Sequence, residues 1–376
     1  MKYNTILILT TLFLTSVNAH AEKRSQNKRA HNNIFFENII KDASIPGVAV
    51  AKITNGEVTF IKAYGYANIE NKTLATEGTM FNIASISKPI MGVSLLQLVD
   101  KNKLALDTNI NKYLPFKIDN PSISGEKITL RHLATHTSGL NDYYDPASFE
   151  KNKDSNILLE SHLKSLLMKG GAKYSNGKYY LNQSPGEDRK YSNLGAGLAG
   201  YLVEATTGIS LAKYSQQTLF DSLNMKNTAW LLAGLNVDNI AVPYSITDQG
   251  VFQSYDHIGN PQYPDGGIRS SIRDLSNFMT AILNNSDIHG NQLLSDETYK
   301  EMFQLQLKKE ISTTQRFFWS DNEMGMTGHM GSDPGVFTAF YFNTQSKDGI
   351  IILMNIDMNK NSADAMKKIA YELMNL

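Results

Sequence analysis

The stretch FNIASISKPIMGVSLLQLVD, from Phe81 to Asp100, combines a serine and a lysine with a long apolar helix pattern. Ser85 and Lys88 lie three residues apart, a spacing that places two side chains about one turn apart on one helix face. The residues from Ile90 onward are apolar on nearly every side, which predicts a buried helix. Pro89 is compatible with its first turn, where the missing N–H costs nothing. The stretch therefore predicts a central helix that begins at Ser85.

Ser85 and Lys88 are a candidate nucleophile and base. A serine at a helix N-terminus lies where the helix dipole favours developing negative charge. A neighbouring lysine can take its proton without a histidine, provided that the surroundings favour the neutral amine. Such serine–lysine pairs occur in one class of acyl-transfer enzymes, so the pair predicts covalent acyl-transfer chemistry.

Spacing alone does not single out Ser85. The pattern S-x-x-K occurs seven times, beginning at Ser25, Ser85, Ser124, Ser148, Ser161, Ser175 and Ser210. Ser25 lies in a charged tail, Ser124 in a loop and Ser175 in a predicted tight turn. Ser148, Ser161 and Ser210 remain possible on spacing, although polar residues surround them. Only Ser85 opens a long apolar helix pattern.

The composition bounds the class of protein. With 376 residues, of which 41% are hydrophobic and 19% charged, the chain is long enough for two cores. The 36 basic residues balance the 36 acidic ones, so the charge gives no indication of a nucleic-acid partner. The absence of cysteine excludes disulfides and thiolate catalysis.

The N-terminus predicts export. Lys2, the apolar run from Ile6 to Val17 and Ala19-His20-Ala21 match a secretory signal peptide of residues 1–21. Residues 22–32 form a polar tail. The apolar run is too short for a stable span, and no other segment approaches about 20 apolar residues, so no membrane span is expected after cleavage. The prediction is a periplasmic or secreted protein; an uncleaved anchor is the weaker alternative.

Strand patterns lie at both ends of the chain and helical patterns lie between them. Val48 to Ile53 and Val58 to Ala63 flank Asn55-Gly56, a strong hairpin signal. Val336 to Asn343 and Ile350 to Asn355 flank a turn predicted at Asp348-Gly349. This order predicts an α+β fold, in which an antiparallel sheet flanked by terminal helices carries an inserted, mostly helical domain.

The same order predicts the limits of two domains. Residues 33–80 and 265–376 form the predicted α/β sheet domain, and residues 81–264 form the predicted helical domain. A cleft between two lobes is a common place for an active site. We therefore expect the site where these two parts meet.

Tyr191-Ser192-Asn193 is the first candidate to complete the site. A phenol beside a lysine can carry a proton between nucleophile and leaving group, and the Asn193 amide can orient Lys88 and bind a substrate carbonyl. The tripeptide recurs at Tyr174, where it runs directly into a predicted hairpin turn. We therefore assign Tyr191 to the site and Tyr174 a structural role.

Gly328-His329-Met330-Gly331-Ser332, just before the strand predicted from Val336, is the second candidate. Its glycines allow a strand edge to approach a substrate closely. The backbone N–H of Ser332 can pair with that of Ser85 to hold an oxyanion, while His329 supplies a proton or a hydrogen bond. A glycine-rich turn with an incidental histidine fits the motif alone equally well.

These motifs together resemble the serine penicillin-recognising superfamily, in its class C β-lactamase-related branch. The branch includes D-alanyl-D-alanine carboxypeptidases, D-aminopeptidases, class C β-lactamases and related esterases. The resemblance covers nearly all of the chain after residue 32. The segments that carry it are IPGVAVAKITNGEV (45–58), FNIASISK (81–88), LRHLATHTSGL (130–140), SPGEDRKYSNLGAGLAGYLVEATTG (184–208), GGIRSSIRDLSNFM (266–279) and GHMGSDPG (328–335).

The resemblance implies a β-lactamase/transpeptidase-like fold and a role for each motif. Ser85 is then the acylated nucleophile, Lys88 and Tyr191 are the acid/base pair, and Asn193 is a positioning group. His329-Met330-Gly331 stands at the third motif, with Gly331 and Ser332 binding substrate. No metal and no cofactor are needed. The implied partners are small peptide, ester or β-lactam substrates.

Two departures from the family pattern narrow the substrate. His329 replaces the lysine of class C lactamases, as is usual in related peptidases and esterases. Met330 stands where lactamases and several carboxypeptidases have a threonine whose hydroxyl helps to bind a substrate carboxylate. Both weaken the case for efficient penicillin hydrolysis and for a strict preference for a free C-terminal carboxylate.

The sequence therefore predicts an exported serine hydrolase that forms an acyl-enzyme on Ser85. A D-Ala-D-Ala carboxypeptidase-like enzyme or a D-amino-acid peptidase is the first choice. An esterase or weak β-lactamase on the same site is one alternative. A slow or non-catalytic penicillin- or peptide-binding protein is the other.

Other motifs are typical of different chemistry, but each lacks the neighbouring residues or elements that this chemistry requires. The glycines from Gly195 to Gly200 match G-x-G-x-x-G, yet no strand precedes them, so close helix packing is favoured over a nucleotide site. His132 and His136 have the spacing of a zinc pair without the glutamate of H-E-x-x-H, and no G-x-S-x-G occurs. Tyr143-Tyr144 and Phe317-Phe318-Trp319 can line the cleft mouth. Asp333 and Arg269 are expected to be solvated or structural.

Overall fold

A computed structural model describes residues 33–123, 125–175 and 178–376. The predicted signal peptide (1–21) and polar tail (22–32), and with them Ser25, lie outside the described residues, as do Ser124, Asn176 and Gly177. Within the described ranges, no helix combines the length and the apolar character needed to cross a membrane.

The strands and helices follow one another in an order that matches the predicted pattern of strands, helices and strands. The strands are β1 (Gly47–Thr54), β2 (Glu57–Asn68), β3 (Thr73–Leu74), β4 (Met80–Asn82), β5 (Glu150–Lys151), β6 (Thr228–Ala229), β7 (Tyr244–Ile246), β8 (Phe252–Ser254), β9 (Ile258–Gly259), β10 (Arg269–Ser271), β11 (Ser320–Asp321), β12 (Thr327–Asp333), β13 (Val336–Asn343) and β14 (Asp348–Met354). The helices are α1 (33–42), α2 (Ser87–Asp100), α3 (Leu130–Ala134), α4 (Leu159–Leu167), α5 (Asn193–Thr207), α6 (Leu211–Ser215), α7 (Ile272–Asn284), α8 (Asp296–Phe303) and α9 (Lys360–Asn375).

One large sheet unites the two ends of the chain. Its strand order is β11-β12-β13-β14-β1-β2-β3, so the first strands pair directly with the last. The joining pair is antiparallel, with Val48 opposite Met354. The predicted α+β arrangement is confirmed, whereas the domain limits at residues 80 and 265 stay a prediction.

The hairpin of β1 and β2 is confirmed in its turn as well as in its strands. Asn55 and Gly56 both have positive φ, 52° and 79°, as a two-residue turn of this kind requires. The turn predicted at Asp348-Gly349 is wrong, because both residues lie inside β14. Gly349 serves close packing instead: a Cβ there would lie 2.3 Å from Met279 Sδ.

Each face of the sheet packs against its own helices, because strand side chains alternate between faces. Val48 and Val50 of β1 join a buried cluster with side chains of α1 and α9. Ala49 and Ala51 join the larger cluster that contains α2, α5 and α7. The small alanines lie on the face that packs against α7.

The nucleophile segment differs in detail from its prediction. A 3₁₀ turn, Ala84–Ile86, precedes α2, so the α-helix proper begins at Ser87 rather than at Ser85. Ala84 has a φ of 46°, and its N–H donates to Asn82 Oδ1 at 2.7 Å. This left-handed residue places Ser85 in a tight turn ahead of the buried helix.

Candidate active site

Ser85 lies at the base of a cleft in a strained segment. An alanine at positive φ is uncommon, because its Cβ crowds the backbone, and such residues cluster at functional sites. The Asn82 side chain holds Ala84 in that conformation. Ser85 itself is half-buried, while Ala84 and Ile86 on either side are fully buried. The turn thus presents one hydroxyl to the cleft on a rigid support.

Lys88 and Tyr191 both reach the Ser85 hydroxyl. Lys88 is completely buried, and its Nζ donates to Ser85 Oγ at 3.0 Å. Tyr191 Oη lies at 3.0 Å from the same Oγ, and Lys88 Nζ is 5.1 Å from the centre of the Tyr191 ring. An Oγ with two such neighbours has two routes along which its proton can move.

The main-chain carbonyl of Asp265, rather than Asn193, orients Lys88. Lys88 Nζ donates a short hydrogen bond to this carbonyl oxygen. Asn193 instead donates its backbone N–H to Asp142 Oδ1 at 2.8 Å and its amide to Asp142 Oδ2 at 3.4 Å. Asn193 Oδ1 has no hydrogen-bond partner among the described residues. Asn193 therefore makes no hydrogen bond to Lys88 in this structure.

His136 packs against Tyr191 beside the nucleophile. Its ring centre lies 4.3 Å from that of Tyr191, and its Nδ1 accepts the Ser192 N–H at 3.3 Å. Burial, reinforced by the Lys88 charge, holds the pKa of His136 well below its usual range. No group of potential metal ligands occurs in the part of the chain that the structure describes. His132 lies in α3 and His136 follows the end of that helix, beside the site.

The third motif lies within a strand instead of before one. His329, Gly331 and Ser332 belong to β12, which pairs along its length with β13. A Cβ on Gly331 would lie 2.3 Å from the Ile83 carbonyl oxygen and 3.1 Å from Ala84 Cβ. Only glycine therefore allows this strand to approach the Ser85 turn.

A cavity of about 330 Å³ brings the predicted site residues together; we call it the nucleophile cavity. Its lining residues are Ser85, Tyr144, Tyr191, Asn193, His329, Met330, Gly331, Ser332, Asp333, Phe337 and Met358. Every predicted site residue except Lys88 lines it, and Lys88 lies buried directly behind Ser85. Tyr174, by contrast, packs against the hydrophobic core.

His329 is held neutral in one tautomer. Burial, with a further contribution from Lys88, lowers the pKa of His329 to about 4. Its Nδ1 donates to the Met330 carbonyl oxygen at 2.6 Å, since a carbonyl can only accept. Nε2 is then an acceptor, which favours the predicted hydrogen-bonding role over the predicted proton-donating role.

The sequence interpretation missed Asp142 and Asp265 and assigned no site role to Asp333. Asp265 reaches Lys88 because two glycines of α5 leave room for its segment. A Cβ on Gly197 would lie 2.5 Å from Gln262 Cγ, and one on Gly200 would lie 2.3 Å from Pro264 Cβ. The G-x-G-x-x-G match, which predicts close packing of this helix, was the available signal for this contact. Of the aromatic segments, Tyr144 lines the cleft, whereas Phe317-Phe318-Trp319 is buried.

Replacing Asp265 by asparagine should stabilise the protein increasingly as pH rises. Burial raises the pKa of the Asp265 carboxyl from 3.8 to about 7, against the lowering effect of Lys88. The unfolded chain then ionises first, so the wild-type protein loses stability as pH rises from about 4 to 7. Asp265→Asn carries no such penalty and keeps the carbonyl that binds Lys88. We expect its gain in unfolding free energy over wild type to grow by about 2–3 kcal/mol between pH 5 and 8.

Urea unfolding at the two pH values measures this difference. Asp248→Asn, at an exposed turn, is the control and should show no such growth. An Asp265→Asn gain that is the same at both pH values would contradict a buried, neutral carboxyl at this position.

Comparison with known proteins finds a match along almost the whole described chain. A family model described as Beta-lactamase matches residues 33–372. The chain is 23% identical over 323 residues to Protein flp of Staphylococcus aureus (strain N315), covering 86% of this chain and 62% of that protein. It is 24% identical over 367 residues to Penicillin-binding protein 4* of Bacillus subtilis (strain 168), covering 93% of this chain and 76% of that protein.

Solved structures show the same fold. The octameric penicillin-binding protein homologue from Pyrococcus abyssi superimposes with a TM-score of 0.70 at 22% identity, covering 91% of this chain and 76% of that one. EstCE1, a hydrolase with promiscuous acyltransferase activity, superimposes with a TM-score of 0.68 at 19% identity, covering 88% and 94%. The predicted β-lactamase/transpeptidase-like fold is confirmed.

Proposed function

The chain belongs to the Beta-lactamase family of serine hydrolases, and from that premise we propose an exported enzyme that forms an acyl-enzyme on Ser85. The observation that carries the proposal is the placement of Lys88 Nζ and Tyr191 Oη, each 3.0 Å from Ser85 Oγ. We assign the substrates to peptides and esters of D-amino acids, with D-Ala-D-Ala peptides among them.

In the proposed reaction, Ser85 Oγ bonds to the substrate carbonyl carbon while its proton passes to the Lys88 amine, directly or through Tyr191. The backbone N–H groups of Ser85 and Ser332 stabilise the oxyanion. The bond to the leaving amine or alcohol then breaks, and Tyr191 returns a proton to it. A water molecule attacks the acyl-enzyme by the same proton route, releasing the acid and restoring Ser85. The positive φ of Ala84 and the Asp265–Lys88 bond keep these groups aligned.

The choice of D-amino-acid substrates rests on similarity and on the cavity. Penicillin-binding protein 4* and the P. abyssi homologue are penicillin-binding proteins by name. The signal peptide predicted at residues 1–21 supports export to the compartment where cell-wall peptides occur. The flp protein extends well beyond this chain, which spans 62% of its length, so its similarity supports only the shared part.

An esterase is the second candidate, because the third motif lacks a fixed cation. His329 is neutral near pH 7, and Met330 is 41% exposed at the cavity without a hydroxyl to offer. A substrate carboxylate therefore has neither the cation nor the hydroxyl donor that lysine and threonine provide in a lactamase. EstCE1 supports this alternative by fold. A slow penicillin- or peptide-binding protein is the remaining, non-enzymatic alternative.

A covalent probe and a short substrate panel test the proposal. Incubation with a fluorophosphonate or a penicillin should add one adduct, located on Ser85 by mass spectrometry. Turnover of D-alanyl-D-alanine peptides supports the peptidase, whereas turnover of p-nitrophenyl butyrate alone selects the esterase. An adduct without turnover of either substrate selects the binding protein. Absence of any adduct overturns the acyl-enzyme.

Restoring a hydroxyl at position 330 should improve the use of carboxylate substrates. Met330→Thr adds a donor at the cavity wall, and one hydrogen bond to a charged group favours binding by about tenfold. We expect kcat/KM for D-alanyl-D-alanine peptides to rise up to about tenfold relative to the same peptides with a C-terminal amide. Met358→Thr is the matched control, since Met358 lines the same cavity and is 56% exposed. An unchanged ratio in Met330→Thr means that this side chain does not face the carboxylate.

A further inference from the structure

A second cavity of about 490 Å³ lies beside the nucleophile cavity; we call it the side cavity. Its wall is mainly apolar and carries five aromatic residues, Tyr144, Phe149, Trp230, Tyr255 and Tyr263. Tyr144 and Asp333 line both cavities, so the two spaces meet at these side chains. A volume of this size admits an aromatic group.

Asp333 stands at the junction of the two cavities. It forms no ion pair with any other residue that the structure describes. Its hydrogen-bonding neighbour is the Asn82 side chain, and the charges of Lys88 and Arg269 act on it without forming an ion pair. Its Oδ2 lies 3.5 Å from the position of a Cβ on Gly266. A half-buried carboxylate in such a place is available to a group from the substrate.

The other charged groups of the side cavity have protein partners, although the buried Arg269 Nε has none among the described residues. Asp154 accepts the N–H groups of Leu232 and Ala233, both at 2.8 Å. Arg269 is buried, and its two terminal nitrogens donate to the carbonyl oxygens of Gly267 at 2.8 Å and Ile258 at 2.7 Å. Two further pairings complete the wall: Asp256 with Lys151 at 3.1 Å, and the Asp265 carboxyl with Gln262 at 2.8 Å.

We propose that the enzyme selects acyl groups that carry both a free α-ammonium and a bulky apolar side chain, with Asp333 binding the ammonium and the side cavity holding the side chain. This inference rests on the proposed acyl-enzyme at Ser85. Three substituents of one α-carbon then find three places that meet at the same point: the carbonyl at Ser85, the ammonium at Asp333 and the side chain in the side cavity. Among the proposed substrates, the preferred ones are then amides or esters of aromatic or large aliphatic amino acids with an unblocked amino group, and D-Ala-D-Ala peptides are weaker substrates of the same site.

The arrangement also disfavours related substrates. An N-acylated amino acid loses the charge that pairs with Asp333 and leaves that carboxylate desolvated without a partner. A small side chain such as that of alanine leaves most of the side cavity unfilled. An acidic side chain has only Arg269 as a cation in the buried part of the cavity, opposite Asp333 and Asp265.

A panel of p-nitroanilides tests the proposal at about pH 7.5. It compares phenylalanine with a free amine, N-acetyl-phenylalanine, 3-phenylpropionate, alanine and glutamate, each amino acid as the D and the L form. We expect kcat/KM for free-amine phenylalanine to exceed that for the N-acetyl and 3-phenylpropionyl compounds by about tenfold or more. Phenylalanine should also exceed alanine by about tenfold.

Asp333→Asn is the decisive variant, because it keeps the shape and removes the charge. It should lower the ratio of kcat/KM for the free amine to kcat/KM for the N-acetyl compound by about tenfold; the ratio cancels any effect of the substitution on the chemistry that both substrates share. Asp256→Asn, at the outer rim of the same cavity, is the matched control and should keep the preference. A preference that survives in Asp333→Asn, or that falls equally in Asp256→Asn, overturns the assignment of Asp333.

The outcomes separate this inference from the proposed function. A fluorophosphonate adduct on Ser85 with no preference for the free amine, or with a preference for glutamate, rejects the inference and leaves the acyl-enzyme intact. The absence of an adduct on Ser85 rejects the acyl-enzyme, and with it the inference that rests on it. Retention of the adduct in Asp333→Asn shows that the variant is folded, so that a changed preference reports recognition.

Discussion

Ser85→Ala is expected to lose all covalent labelling and at least about 10⁴-fold in kcat/KM, the largest effect of any single change in this chain. Without Oγ no acyl-enzyme can form, and the donors from Lys88 and Tyr191 lose their common acceptor. The residual activity comes from substrate binding and from the oxyanion site. Intact-mass measurement after fluorophosphonate treatment and steady-state kinetics on the best substrate of the panel give both quantities.

A matched control for Ser85→Ala exists within the same chain. Ser161 and Lys164 have the same S-x-x-K spacing on α4, but Ser161 is exposed and Lys164 pairs with Glu160. The Ser161→Ala variant should therefore be labelled by the fluorophosphonate, and should turn over substrate, like the wild type. Labelling that persists in Ser85→Ala would place the nucleophile elsewhere and remove the basis of the proposed function.

Lys88→Met is expected to slow acylation by about 10³-fold, the second largest effect. The substitution keeps most of the side-chain volume in a fully buried position while removing the amine that hydrogen-bonds Ser85 Oγ. Replacing a buried charge by an apolar group of similar size is often neutral for stability, so the variant should fold. Stopped-flow measurement of the adduct-forming rate reports acylation directly, and thermal unfolding verifies the fold.

Tyr191→Phe separates the two proton routes. It keeps the ring that packs on His136 and removes only the hydroxyl that reaches Ser85. If Lys88 and Tyr191 act on the same proton, the double variant should lose little more than Lys88→Met alone, because groups that act as a unit are not additive. Lys101→Met, at the exposed end of α2, is the control. Full additivity, or a Lys88→Met variant that acylates at the wild-type rate, would contradict the shared route.

Much of the site could be predicted because its motifs are local in sequence. Ser85 and Lys88 lie on one turn of chain, and Tyr191 stands at a loop-to-helix junction with recognisable neighbours. Asp265 and His136 could not be assigned in the same way. Each acts through a contact with a residue far away in sequence, Asp265 with Lys88 and His136 with Tyr191. The same holds for Asn193, whose partner is Asp142 rather than Lys88.

The sequence by itself determined the α+β order, the hairpin at Asn55-Gly56, the buried helix after Ser85 and the family, because these follow from periodicity, turn chemistry and motif order. Only the tertiary structure decided which groups surround Ser85 and what space adjoins it. Glycines 197, 200 and 331 permit contacts of backbone and side chains that no local pattern encodes. The junction at Asp333 exists only because β12, the Ser85 turn and the segment around Gly266 pack together. The substrate choice that we propose, which depends on that junction, is therefore a property of the packed chain.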